Sequence, residues 1–215
     1  MASVALAPTE LGIEKIGKLL KMYAVPGIIA QTAASLYNMV DSIYIGHIPG
    51  VGSAAISGLA VTFPLMNLAT AMGTLVGVGA TTLISVLLGQ KNYDTARKVL
   101  SNVLSLNLII GALFSGVTLA FLDPILRFFG ASDVTLPFAR DYMLIILVGN
   151  VFTHLYFGFN GLIRASGHPK TAMGLTLFTV ISNAVLDPVF IFVFEMGIRG
   201  AALATVICQM AALVY

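Results

Sequence analysis

The chain has 215 residues, 9% of them charged and 58% apolar, with a mean hydropathy of +0.98, whereas an ordinary soluble domain is roughly 25% charged. So few charges cannot coat a surface that faces water, but a surface that faces lipid has no such need. A soluble domain is therefore excluded, and a net charge of +2 with no basic stripe excludes a nucleic-acid binder.

Residues 1–21 carry Lys15, Lys18 and Lys21. They read as a polar cytoplasmic segment rather than a cleaved leader, because the apolar run that follows is too long for one. A membrane-crossing helix needs about 20 mostly apolar residues. The first such run is Met22–Gly46, with Asp41 as its one charge. A turn cluster, Ile48-Pro49-Gly50-Val51-Gly52-Ser53, breaks the chain next. The second span lies within Ser57–Leu88, the third is the uncharged run Val99–Leu122, and the fourth is Tyr142–Ile163. The fifth, Thr171–Phe194, holds Asp187, and the sixth begins near Gly200 and is still apolar at Tyr215. The expected fold class is an all-α membrane protein whose residues 22–215 form one six-helix bundle. Its last helix is cut short, so the chain reads as the first half of a longer protein. Pseudo-symmetric six-helix halves are a common transporter plan.

Basic residues alternate between connections. Eight (Lys15, Lys18, Lys21, Lys91, Arg97, Lys98, Arg164 and Lys170) fall at one end of the bundle, against Arg127, Arg140 and Arg199 at the other. By the positive-inside rule the richer end is cytoplasmic, and the N-terminus with it. The expected location is the inner or plasma membrane, with multiple spans.

Ionisable groups inside spans are costly and mark function. Asn183 and Asp187 lie four apart and share a helix face. At 1.5 Å per residue, Asp187 stands about 25 Å and Asn183 about 20 Å from Lys170, and Asp41 about 30 Å from Lys21. Thr205 lies about 9 Å from the opposite end, at Arg199. All four fall in the outer half, so one polar cavity can hold two acids, an amide and a hydroxyl. That set suits a proton or a Na⁺, since hard cations take oxygen ligands. Two carboxylates in one cavity titrate as a coupled pair, and ion entry becomes a switch. Pro26, Pro64 and Pro188 each remove a helix hydrogen bond and supply hinges. Gly73, Gly77, Gly79 and Ala80 give the second span a close-packing face.

Plainer roles compete for the same residues. Asp41 can snorkel to the interface, Asn183 can bridge helices, and Thr205 can bond its own backbone. Cys208 reads as a small apolar side chain and His154 as a packed or interfacial ring. No Walker A, Gly-x-Ser-x-Gly or His-Glu-x-x-His pattern is present, so no enzymatic site is expected.

Several segments resemble the multidrug and toxic compound extrusion (MATE) transporters, in the DinF/MepA-like branch. Tyr37-Asn38-Met39-Val40-Asp41-Ser42-Ile43-Tyr44-Ile45-Gly46 is similar to the end of their first helix. Leu88-Gly89-Gln90-Lys91-Asn92-Tyr93-Asp94-Thr95-Ala96 and Gly161-Leu162-Ile163-Arg164-Ala165-Ser166-Gly167-His168-Pro169 resemble two of their connections. Asn183-Ala184-Val185-Leu186-Asp187-Pro188-Val189-Phe190-Ile191-Phe192 resembles their fifth helix. The resemblance implies the N-terminal bundle of a twelve-helix antiporter that exports amphipathic, often cationic organic compounds against H⁺ or Na⁺ and uses no cofactor. It implies a cation site at Asp41, Asn183, Asp187 and Thr205, and cavity-facing roles for Tyr37 and Asn160. Its partners would be small organic substrates, the lipid bilayer and a missing C-terminal bundle. A flippase of lipid-linked oligosaccharide or lipid precursors from the same superfamily is one alternative. An integral-membrane enzyme or a non-transporting scaffold half are the others.

Overall fold

The computed structural model describes residues 14–214, and all regular structure among them is helical. Helix α1 spans Ile16–Gly46, α2 Gly52–Gly89 and α3 Tyr93–Ala120. A short α4, Leu122–Phe128, precedes α5 at Leu136–Ala165. Helix α6 spans Pro169–Pro188, runs on into a π-helical turn at Val189–Val193, and is followed by α7 at Ile198–Val214. The six long helices are those read from the sequence. By length and apolarity α2, α3, α5 and the α6–π unit suffice to cross a membrane. Helix α1 has 31 residues, but Gln31, Thr32, Ser35 and Asn38 dilute its apolar character. Helix α7, at 17 residues, is short of the about 20 a span needs.

Several boundaries differ from the expectation, and each has a physical reason. Helix α1 starts at Ile16, so the division placed after residue 21 falls inside it. Lysines are good helix formers, and hydropathy sees only the apolar part of a helix. Residues 1–13 lie outside the described part. Helix α2 starts at Gly52, inside the expected turn cluster rather than at Ser57, and runs 38 residues. At about 57 Å it is longer than the about 30 Å hydrocarbon layer, so it tilts or projects from the bilayer. The connection expected over Asp123–Asp141 contains α4 and the first turns of α5. The fifth span changes from α to π at Pro188 and is not a single α-helix to Phe194.

Helix α5 is central and packs against α2, α3, α6 and α7, while α1 packs mainly on α6. Close approach depends on small residues. A Cβ on Gly77 would stand 3.2 Å from the Gly158 Cα, and one on Gly149 would stand 2.4 Å from a Val206 methyl. Gly73 and Gly111 clasp the His154 ring, with hypothetical Cβ atoms at 3.2 and 3.4 Å from its Cγ. His154 is thus a packed ring and not an interfacial one. Gly79 has nothing within 4 Å, so the small-residue face of α2 is Gly73, Gly77 and Ala80 without it. The larger apolar core lies toward the α4 end and includes Ile45, Leu59, Leu126, Tyr142, Met143 and Leu147. A smaller cluster of Ala80, Ile84, Val103 and Leu162 lies toward the basic end.

At the α4 end, Arg199 pairs with Asp141 at 2.8 Å, Arg127 with Asp133 at 2.9 Å and Arg140 with Asp123 at 3.3 Å. These pairs explain why that end carries acids beside its three basic residues. They are solvent-exposed, so water and salt screen them and each adds little to stability.

Candidate cation site

Helices α1, α6 and α7 bring the four polar residues together. Asp41 is 4% exposed, Asn183 2%, Asp187 0% and Thr205 8%. Thr205 is the junction. Its hydroxyl donates to the Ala201 carbonyl at 3.1 Å. With its donor spent, it accepts from the Tyr37 hydroxyl at 2.8 Å and from the Asn183 amide at 3.4 Å. One hydroxyl therefore ties all three helices.

The local chain explains why Asp187 points inward at this place. Pro188 has no N–H, so the Ala184 carbonyl loses its usual helical partner. The chain then widens, and the Phe194 N–H bonds the Val189 carbonyl at 2.9 Å, five residues back. Single π turns of this kind recur at functional sites. Helix α7 closes on that turn through Gly200, where a Cβ would stand 2.7 Å from the Phe190 carbonyl carbon. The π turn and the glycine thus bring α7 against the end of α6 that carries Asp187.

The electrostatics of the site are unbalanced. The Asp41 carboxyl and the Asn183 amide both face Asp187. Yet within full hydrogen-bonding distance and angle both Asp187 oxygens, Asp41 Oδ1 and Asn183 Oδ1 have no partner among the described residues. Four buried acceptor oxygens thus gather beside one side-chain amide, that of Asn183. Leaving a buried acceptor unmet costs about 1–3 kcal/mol, more if it is charged. A proton shared between the acids, or a hard cation held by the oxygens, removes that cost. The donor set therefore fits either H⁺ or Na⁺ as cargo.

The other sequence candidates lie elsewhere. Tyr37 joins the site through Thr205. Asn160 does not: it clamps α5 to α6 near the basic end, donating to the Ala172 carbonyl and to Thr176 Oγ1, each at 3.2 Å, and accepting from Arg164 at 3.2 Å. Helix α1 passes through Pro26 unbroken, while Pro188 ends α6. Two neighbours of the site escaped the sequence reading. Tyr142 on α5 interacts electrostatically with Asp41, Tyr37 and Asp187, and Cys208 on α7 does so with Asp187 and Tyr37. Cys208 stands three residues after Thr205, a spacing that marks a shared helix face. Tyr142 carries no comparable signal, because its helix contributes no other member of the site.

Comparison with known proteins gives a consistent picture. The family described as MatE matches residues 26–189. The multidrug export protein MepA of Staphylococcus aureus (strain NCTC 8325 / PS 47) is 32% identical over 198 residues, covering 92% of this chain and 44% of MepA. Its counterpart in Staphylococcus haemolyticus (strain JCSC1435) is 33% identical over 192 residues, covering 89% and 42%. A structure of the MATE multidrug transporter DinF-BH superposes with a TM-score of 0.87 at 34% identity, covering 94% of this chain and 45% of that one. The chain thus spans less than half the length of these relatives, which are exporters and not enzymes.

Proposed function

This chain belongs to the MatE family, and on that premise we propose that it is the N-terminal lobe of a cation-driven exporter of amphipathic organic compounds. The carrying observation is the cluster of unpartnered buried oxygens on Asp41, Asp187 and Asn183. Binding of H⁺ or Na⁺ there relieves the unmet acceptors. Loss of that ion leaves two facing carboxylates, which push α1 away from α6. Because Tyr37 reaches α7 through Thr205, a shift of α1 is transmitted to that helix. Pro26 and Pro188 let the two spans bend without breaking further hydrogen bonds. The second lobe supplies the opposite wall of the cavity in which the compound is held. The basic end faces the cytoplasm of a bacterial inner or plasma membrane.

A flippase for pyrophosphate-linked lipids would need cationic side chains inside its cavity. All Lys and Arg residues here lie in connections or within two turns of a helix end, which favours the exporter.

The test is ethidium efflux from energised cells that express a full-length transporter carrying this lobe, with and without Asp187→Asn. The expected result is loss of ion-driven efflux at unchanged membrane expression. Efflux that survives Asp187→Asn at the wild-type rate overturns the assignment.

A further inference from the structure

Below the acid pair, polar side chains continue toward the basic end on three helices at once. On α6, Thr176, Thr179, Asn183 and Asp187 follow at spacings of three, four and four, which keeps them on one face over about 16 Å. On α7, Gln209 lies one turn below Thr205 and is 9% exposed. On α5, Thr153 donates to Gln209 Oε1, tying α5 to α7 at that level. One turn further down, Tyr156, Asn160, Leu175 and Ala212 help to line a cavity of about 190 Å³. That volume holds several waters, and the Tyr156 hydroxyl and the Asn160 amide on its otherwise apolar wall give them partners. Asn160 on its wall donates to Thr176 and accepts from Arg164. A lone polar residue at such depth can serve as interhelical glue. A graded series on three facing helices that ends in a cavity is more than glue requires.

Resting on the reading of the acid pair as the cation site, we propose that this series is a hydrated passage inside the lobe. It connects Asp41 and Asp187 with the basic end between α5, α6 and α7. The Thr153–Gln209 bond is its constriction and the Asn160–Arg164 contact its gate. The coupling cation exchanges with water at the basic end by this route, separately from the compound exported between the lobes. Neither Gln209 nor Thr153 touches the cation when it is bound; both are positioning residues for its path.

The chain carries its own reporter. Cys208 is the single cysteine, is 1% exposed and adjoins Gln209 at the top of the passage. A thiol reacts only where water and the reagent reach it. The probe is Ag⁺, a thiol-reactive monovalent cation, added to one side of oriented membranes holding the transporter that contains this lobe. Reaction is read as protection of Cys208 from later alkylation under denaturing conditions. Ag⁺ from the basic side is expected to protect Cys208. Filling the cavity with Ala212→Phe should slow that reaction at least tenfold while leaving the rate from the opposite side unchanged. Asn160→Leu, which removes the amide from the wall without adding bulk at the helix contact, should slow it in the same sense and serves if Ala212→Phe does not fold. Equal rates in wild type and in a folded blocking variant overturn the passage. The efflux outcome with Asp187→Asn is read independently, so failure of the passage and failure of the cation site are distinguishable.

Discussion

Replacing Gly149 with alanine should loosen the contact between α5 and α7 by an amount the geometry sets. A Cβ at Gly149 would stand 2.4 and 2.5 Å from the two methyls of Val206 and 3.1 Å from its Cβ. Valine is branched at that carbon, so rotation about χ1 moves one methyl away only by bringing another atom in. The clash is therefore relieved only by moving a helix or by an off-rotamer side chain, a cost of about 1–3 kcal/mol. For a chain of 150–250 residues, 1 kcal/mol corresponds to about 2–4 °C in the unfolding midpoint. Gly149→Ala should thus lower the apparent midpoint of the detergent-solubilised chain by roughly 2–12 °C. Val206→Ala alone removes two buried methyls and should also destabilise, by about 1–3 kcal/mol. The double variant is the decisive one. Alanine at 206 makes room for alanine at 149, so the pair should be less destabilised than the sum of the singles, with a coupling of about 0.5–3 kcal/mol. Additive losses in the double variant, or a Gly149→Ala midpoint equal to wild type, would refute this account of the α5–α7 contact.

Two further outcomes follow from individual bonds. Tyr37→Phe removes the 2.8 Å donor to Thr205, worth about 0.5–1.5 kcal/mol, and leaves Asn183 in place. A small drop in midpoint with altered ion dependence of efflux is expected in cells, and unchanged ion dependence would sever Tyr37 from the site. Arg199→Gln breaks the 2.8 Å pair with Asp141, which is exposed, so the midpoint should barely move, and by still less in high salt. A large loss at any salt concentration would mean that the pair is a structural lock.

The candidate site residues were more legible in the sequence than the helix ends. Charge inside an apolar run is a rare and costly event, so Asp41 and Asp187 stand out from single positions, and helical spacing alone puts Asn183 on the face of Asp187. Depth arithmetic from the two ends of the bundle then adds Thr205. The helix ends obey weaker rules. Backbone hydrogen bonding carries α1 back to Ile16 through lysines that hydropathy counts as loop, and a π turn differs from an α turn by one residue of hydrogen-bond register. Pro188 signals an interruption in α6 but not its form. Asn160 shows the converse difficulty. An amide near a helix end looks the same in sequence whether it faces a cavity or holds two helices together, and only its three partners assign the second role here.

The four oxygen-bearing residues come from α1, α6 and α7, all within the chain itself, and Thr205 joins those helices without help from any second lobe. Ion binding and compound export are therefore separable demands. The ion needs convergent oxygens from one lobe, whereas a bulky compound needs a cavity wide enough to hold it, lined by both lobes. On the proposed reading one lobe meets the first demand, and two lobes together meet the second. Asp187→Asn in the isolated lobe should then abolish ion-dependent changes in Tyr fluorescence or unfolding midpoint, with no transport to measure. An isolated lobe whose midpoint ignores both pH and Na⁺ would show instead that the acid pair is completed across the lobe interface. The partnerless oxygens on Asp187, Asp41 and Asn183 argue for the complete site, because they already face one another across α1 and α6.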